Sequence, residues 1–175
     1  NQKESLVKVM LSKQLTLENT QVKNFTGKFA GAVEVDKVDS VSIKNFTCLN
    51  CNSTEGNGGA IAYRTSEESP KLEITNSELT NCGVETGKGG GIYIESDSGS
   101  IAIEMKLSNL TFSNVLGAAI HIGEVVNFEK NTAKLETITV KESHSSTGGV
   151  IEDMHSKGTL EVNNLSIQDS TGYSC

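Results

Sequence analysis

The sequence predicts an all-β chain, a single-stranded parallel β-helix (solenoid) of about six coils with a repeat period of about 28–31 residues. Three observations predict it. A small tetrad returns as AGAV (30–33), GGAI (58–61), GGGI (89–92), GAAI (117–120) and GGVI (148–151), with starts 28, 31, 28 and 31 residues apart. A ten-residue window alternating apolar and polar positions returns as LTLENTQVKN (15–24), VSIKNFTCLN (41–50), LEITNSELTN (72–81), MKLSNLTFSN (105–114), AKLETITVKE (133–142) and LEVNNLSIQD (160–169). Within these windows like residues form columns. The third position reads Leu17, Ile43, Ile74, Leu107, Leu135, Val162, and the eighth reads Val22, Cys48, Leu79, Phe112, Val140, Ile167.

Each element follows from those patterns. Alternation with period two makes a strand, and matching columns one period apart make each strand a rung that pairs with its own repeat. Helical repeats of this length would show a 3.6-residue period, which is absent. The aliphatic columns are expected to fill the interior. Asn19, Asn45, Asn76, Asn109 and Asn164 in one column, and Asn24, Asn50, Asn81 and Asn114 in another, are expected at corners as amide ladders, the first column facing inward. Gly31, Gly58, Gly59, Gly89, Gly90, Gly117, Gly148 and Gly149 are expected to turn coil corners and let neighbouring coils approach closely. A phosphate cradle needs a helix and a Lys-Ser/Thr pair after the glycines, and GGAIAYR supplies neither.

Composition narrows the function classes. The chain has 175 residues, no Trp, one Pro, 17 Gly and 5% aromatic residues, so its core must be built from aliphatic side chains. With a net charge of -7 and scattered lysines, nucleic acid is not an expected partner. No stretch reaches the roughly 18–20 apolar residues of a membrane span. Residues 1–175 read as one β-helix segment that opens and closes mid-pattern, as a fragment of a longer repeat protein would.

Four cysteines (Cys48, Cys51, Cys82, Cys175) and five N-x-S/T sequons (Asn24, Asn45, Asn52, Asn109, Asn164) point to a secreted or surface location. CLNC has the C-x-x-C spacing of a zinc or redox motif, but no second C-x-x-C or paired His accompanies it, and no metal or cofactor is expected. Cys51 and Cys82 each follow a ladder Asn and precede a tetrad by seven residues, so the register stacks them in adjacent coils as the candidate disulfide. Asn52, and then Asn24, are the expected glycosylation sites, because Asn45, Asn109 and Asn164 fall in the inward column.

The acidic groups Glu34, Asp36, Asp39, then Glu95, Asp97, then Glu152, Asp153 with His155, follow the tetrads at 30–33, 89–92 and 148–151 and are placed where they could share a lateral face, although the tetrads at Gly58 and Gly117 carry no acids there and break the column. Surface acids at strand ends ordinarily keep a solenoid soluble, and no catalytic residue is assigned. His121 and His144 are read as exposed. Tyr63 and Tyr93 are read as equivalent positions that stack on neighbouring coils.

The GGAI tetrad at Gly58–Ile61, its variants and FEKNTA at Phe128–Ala133 resemble the repeated GGA[I/L/V] and FxxN motifs of the chlamydial polymorphic outer membrane proteins and similar β-helical surface proteins. The likeness covers nearly the whole chain. It implies a non-enzymatic adhesion or structural module at the cell surface. Expected partners are other copies or neighbouring segments of the same assembly, or a receptor or glycan. The alternatives are a carbohydrate-active β-helix enzyme and a segment of an extracellular filament.

Overall fold

A computed structural model describes residues 4–66, 70–85, 87–98, 101–124, 126–146 and 148–172; Cys175 lies outside them. The strands in chain order are β1 (Val7–Glu18), β2 (Gln21–Gly27), β3 (Val33–Lys44), β4 (Thr47–Ser53), β5 (Ile61–Thr65), β6 (Lys71–Thr80), β7 (Gly83–Val84), β8 (Ile92–Ser96), β9 (Glu104–Ser113), β10 (Ile120–Ile122), β11 (Asn127–Lys141), β12 (Ile151–Asp153) and β13 (Lys157–Gln168). Their ladders are parallel. No helix occurs among the described residues, and so none is long and apolar enough to cross a membrane.

The chain is therefore a parallel β-solenoid. Leu17, Ile43, Ile74, Leu107, Leu135 and Val162 pair in sequence from β1 through β3, β6, β9 and β11 to β13, six rungs and about five full turns. Val33, Ile61, Ile92, Ile120 and Ile151 stack likewise on a second face. Val22, Cys48, Leu79, Phe112, Val140 and Ile167 form a third. Inner rungs bury these columns almost completely, whereas Val162 and Ile167 on β13 are about half exposed because no further described rung covers them. Cross-coil ion pairs such as Lys71–Glu104 (2.8 Å) and Lys44–Glu73 (3.1 Å) cover the polar side of one face. Being exposed, they add little to stability.

The two Asn columns are the left-handed corners of every coil. Asn19, Asn24, Asn45, Asn50, Asn76, Asn81, Asn109, Asn114 and Asn164 all have φ between 50° and 56°, and Thr137, Glu142 and Asp169 take the same backbone where Asn is missing. Asn suits this role because its short polar side chain tolerates a conformation that costs other L-residues about 1–2 kcal/mol. Ladder bonds are present. Asn45 donates to Asn19 (2.9 Å) and Asn109 to Asn76 (3.0 Å); in the second column Asn50 donates to Asn24, Asn81 to Asn50 and Asn114 to Asn81 (2.7–2.9 Å).

The expected inward orientation of the first column is corrected: Asn19, Asn45, Asn76, Asn109 and Asn164 are exposed. A left-handed residue at a convex corner throws its Cβ outward, while the residues flanking it, such as Phe46 and Leu110, return to the core. Replacing Asn81 by Ala should cost about 1–2 kcal/mol in urea unfolding, from the lost ladder bonds and the left-handed backbone. Asn81→Gly, which keeps that backbone and loses only the ladder, should cost less; equal losses would show that the corner conformation contributes nothing.

The glycines divide into two jobs. Gly58, Gly89 and Gly117 turn left-handed corners at φ 82°, 70° and 98°. Gly31, Gly59 and Gly90 instead sit where a Cβ would strike a backbone carbonyl, those of Gly59, Gly90 and Leu116 respectively. Gly148 faces only the movable Glu152 carboxylate, and neither it nor Gly149 has a left-handed φ.

The expected Cys51–Cys82 bridge is also corrected. The disulfide joins Cys48 to Cys51, with Cα atoms 6.3 Å apart, and Cys82 is a buried free thiol. Asn50 turns the chain between Cys48 and Cys51, so both side chains enter the core on either side of one corner and meet there.

Candidate functional site

Register decides which polar residues meet. One column on the lateral face runs Lys8, Glu34, Ala62, Tyr93, His121, Glu152, and the next-but-one runs Met10, Asp36, Arg64, Glu95. Glu34, Asp36, Glu95 and Glu152 share this face, but Asp153 pairs with Ile122 in the column of the buried Ile94 and Tyr63, and Asp39 lies past the left-handed turn at Lys37. Glu34 and Glu152 are four rungs apart, however, roughly 19 Å at the parallel-strand spacing. No single pair of catalytic carboxylates spans that distance.

Most of these acids are already engaged. Glu34 accepts from Ser5 Oγ (2.8 Å) and pairs with Lys8 (3.2 Å). Asp39 pairs with Lys13 (3.1 Å), Asp97 with Lys37 (3.9 Å) and Asp153 with His155 Nδ1 (2.7 Å). Glu95 accepts from the Tyr93 hydroxyl (2.9 Å) and the Ser96 N–H (3.0 Å). Burial first, and the Glu95 carboxylate second, push the Tyr93 phenol well above its ordinary range, so it stays protonated and donates.

Asp36 is different. Its Oδ1 is buried and has no hydrogen-bond partner among the described residues, and the residue lines a groove of about 350 Å³ with Phe29, Asn57, Arg64 and Tyr93 among its walls. Phe29 is 41% exposed at the rim, flanked by Lys8 and Lys28 with their ammonium groups 5.7 and 5.1 Å from its ring centre.

The reading of His121 as exposed is corrected. It is 2% exposed, its Nδ1 lies 2.5 Å from Glu152 Oε2, and its ring stacks on Tyr93 at 5.4 Å and 9°. His144 is exposed, with Nδ1 2.8 Å from Thr171 Oγ1. Tyr63 and Tyr93 are not equivalent: Tyr93 pairs with Ala62, and Tyr63 pairs with Ile94 and is fully buried. Sequence reading missed the Tyr93–His121–Glu152 contact because its members come from three coils. The tetrad register, which places His121 one residue after Ile120 and Glu152 one after Ile151, was the signal that could have found it.

Sequon exposure reverses the expected order. Asn24, Asn45, Asn109 and Asn164 are exposed, while Asn52 is only half exposed. Secreted from a glycosylating host, the chain should carry sugar on those four sites ahead of Asn52; peptide mapping that finds Asn52 alone occupied would contradict the exposed-corner geometry.

The fold and groove define the class, a parallel β-solenoid with a lateral groove. Comparison with family models, curated proteins and solved structures gives no match for this chain.

Proposed function

We propose that the chain is an adhesion or structural module of an extracellular or cell-surface protein, without catalytic chemistry, akin to the polymorphic outer membrane proteins whose tetrads it resembles. Its partner is a receptor or glycan held on the lateral face, or a neighbouring segment of the same assembly. The observation that carries this reading is Asp36. A buried carboxylate oxygen without a partner among the described residues is a costly feature, and its residue lines a groove walled by aromatic, amide and guanidinium groups. The neighbouring acids, paired with lysines, hydroxyls and histidines, support a non-catalytic face.

Calorimetric titration with neutral and acidic oligosaccharides and with candidate receptor ectodomains tests the reading. Asp36→Ala should weaken the binding partner about tenfold, the loss of one charged hydrogen bond of about 1.5 kcal/mol. Unchanged affinity would place recognition elsewhere on the rod.

One specific observation favours a polysaccharide-cleaving enzyme as the second reading. Glu95 and Glu152 lie two rungs and two residues apart, roughly 12 Å between Cα atoms, and bracket the Tyr93–His121 stack. Incubation with a polysaccharide panel separates the two readings: bond cleavage that Glu152→Gln abolishes would establish the enzyme and sink the adhesion module.

A further inference from the structure

The C-x-x-C pair gains a third sulfur from the next coil. β4 pairs with β6 at Cys48↔Leu79 and with β7 at Asn52↔Gly83, both 31 residues apart, which sets Cys82 alongside Cys51. The Sγ atoms of Cys48, Cys51 and Cys82 all lie within 4.8 Å of one another, and the three residues are 0%, 0% and 1% exposed. In the oxidised chain Cys82 is a packing thiol. It donates weakly to the carbonyls of Thr80 (3.5 Å) and Cys48 (3.8 Å), and burial pushes it up to about 11.

We propose that two-electron reduction of the Cys48–Cys51 disulfide opens a three-sulfur site for a soft monovalent cation, with Cu(I) as its ligand. An external dithiol or phosphine supplies the two electrons, and two protons from solvent complete two thiols. Metal entry then forms bonds to the three sulfurs and releases their thiol protons to solvent. Nothing else is oxidised or reduced.

The geometry sets the choice of ion. Metal–sulfur bonds of about 2.3 Å place three coplanar sulfurs about 4 Å apart, within the 4.8 Å that bounds the cluster once the Cys48–Cys51 bond opens. A structural zinc site wants a fourth ligand, but among the described residues no His, Asp or Glu joins the cluster. Three buried thiolates without a fourth donor suit a soft d10 cation that accepts three-fold coordination. This site is independent of the groove, which lies on another face of the coil.

The test uses the whole chain. It is reduced anaerobically with a phosphine, its strand content is checked by far-UV circular dichroism, and Cu(I) is titrated in as its acetonitrile complex. Reduced chain should take up one equivalent with thiolate-to-metal absorption in the near ultraviolet, and oxidised chain should take up none. Cys82→Val, which keeps an apolar side chain of similar size in the core, should weaken binding on the order of a hundredfold or more, at least the effect of disturbing a metal's outer shell. Cys48→Ala should do the same. The proposal is overturned by a reduced, folded chain that takes up no Cu(I), by collapse of the fold on reduction, or by Cys82→Val binding like the parent, which would assign the metal to the C-x-x-C pair alone.

Discussion

Replacing Phe112 by Ala should destabilise the chain by about 3–5 kcal/mol, the range for emptying a buried aromatic site. Phe112 is fully buried on β9, between Leu79 on β6 and Val140 on β11. Its ring also fills the space above Gly91, where an added Cβ would come within 2.8 Å of it. Neighbouring rungs cannot collapse into the void, because their own spacing is fixed by backbone hydrogen bonds on both sides. In a solenoid, stability is a sum of rung and interface terms, so the loss falls on the β6–β9 and β9–β11 interfaces. Urea unfolding followed by circular dichroism should show an earlier and broader transition, with the coils on either side of β9 uncoupled. Phe112→Leu should recover most of the loss. An Ala variant within about 1 kcal/mol of the parent would mean that the third column is not the mechanical core of the rod.

Gly59→Ala should be at least as damaging, at about 3 kcal/mol or more, and is expected to prevent folding near 37 °C. A Cβ at Gly59 would overlap the Gly90 carbonyl oxygen of the next coil and sit 2.5 Å from both the N and O of Gly83. All are backbone atoms, so no side-chain rotation relieves the contact. Relief requires the coils to part, which breaks the Gly59 N–H bond to the Gly89 carbonyl (3.0 Å) and the Ala60 and Ile61 bonds to the Gly91 carbonyl (3.1 and 3.0 Å). Gly148→Ala is the matched control. Its Cβ would meet the Glu152 side chain, whose carboxylate can swing aside by giving up its contact with His121, so a loss of about 1–2 kcal/mol, smaller than at Gly59, is expected in thermal unfolding. Equal tolerance at the two positions would remove close coil approach as the reason for the glycine pairs.

The sequence by itself determined the period, the strands, the aliphatic columns and the Asn corners, though not the left-handed turns at Leu11 and Lys37. Each of these is a local property repeated in one dimension. Alternation marks a strand wherever it occurs, Asn or Gly marks a left-handed corner, and recurrence at a near-constant interval leaves only stacking on the neighbouring coil. Leu17 through Val162 pair as their column implies because each rung contacts only the rungs before and after it. The tertiary structure alone decided which way the corner amides face, which cysteines bond, and how Tyr93, His121 and Glu152 meet. Tyr63 and Tyr93 show the physical reason. They sit at different distances from their tetrads, the strand register aligns Tyr93 with Ala62, and a displacement of one residue sends a side chain to the opposite face of a strand. Lateral chemistry on a solenoid depends on that single-residue alignment between coils of unequal length, and on the turn of each corner. Cys48 and Cys51 meet across the Asn50 corner for the same reason, and Cys82 reaches them only through the 31-residue offset of the next coil.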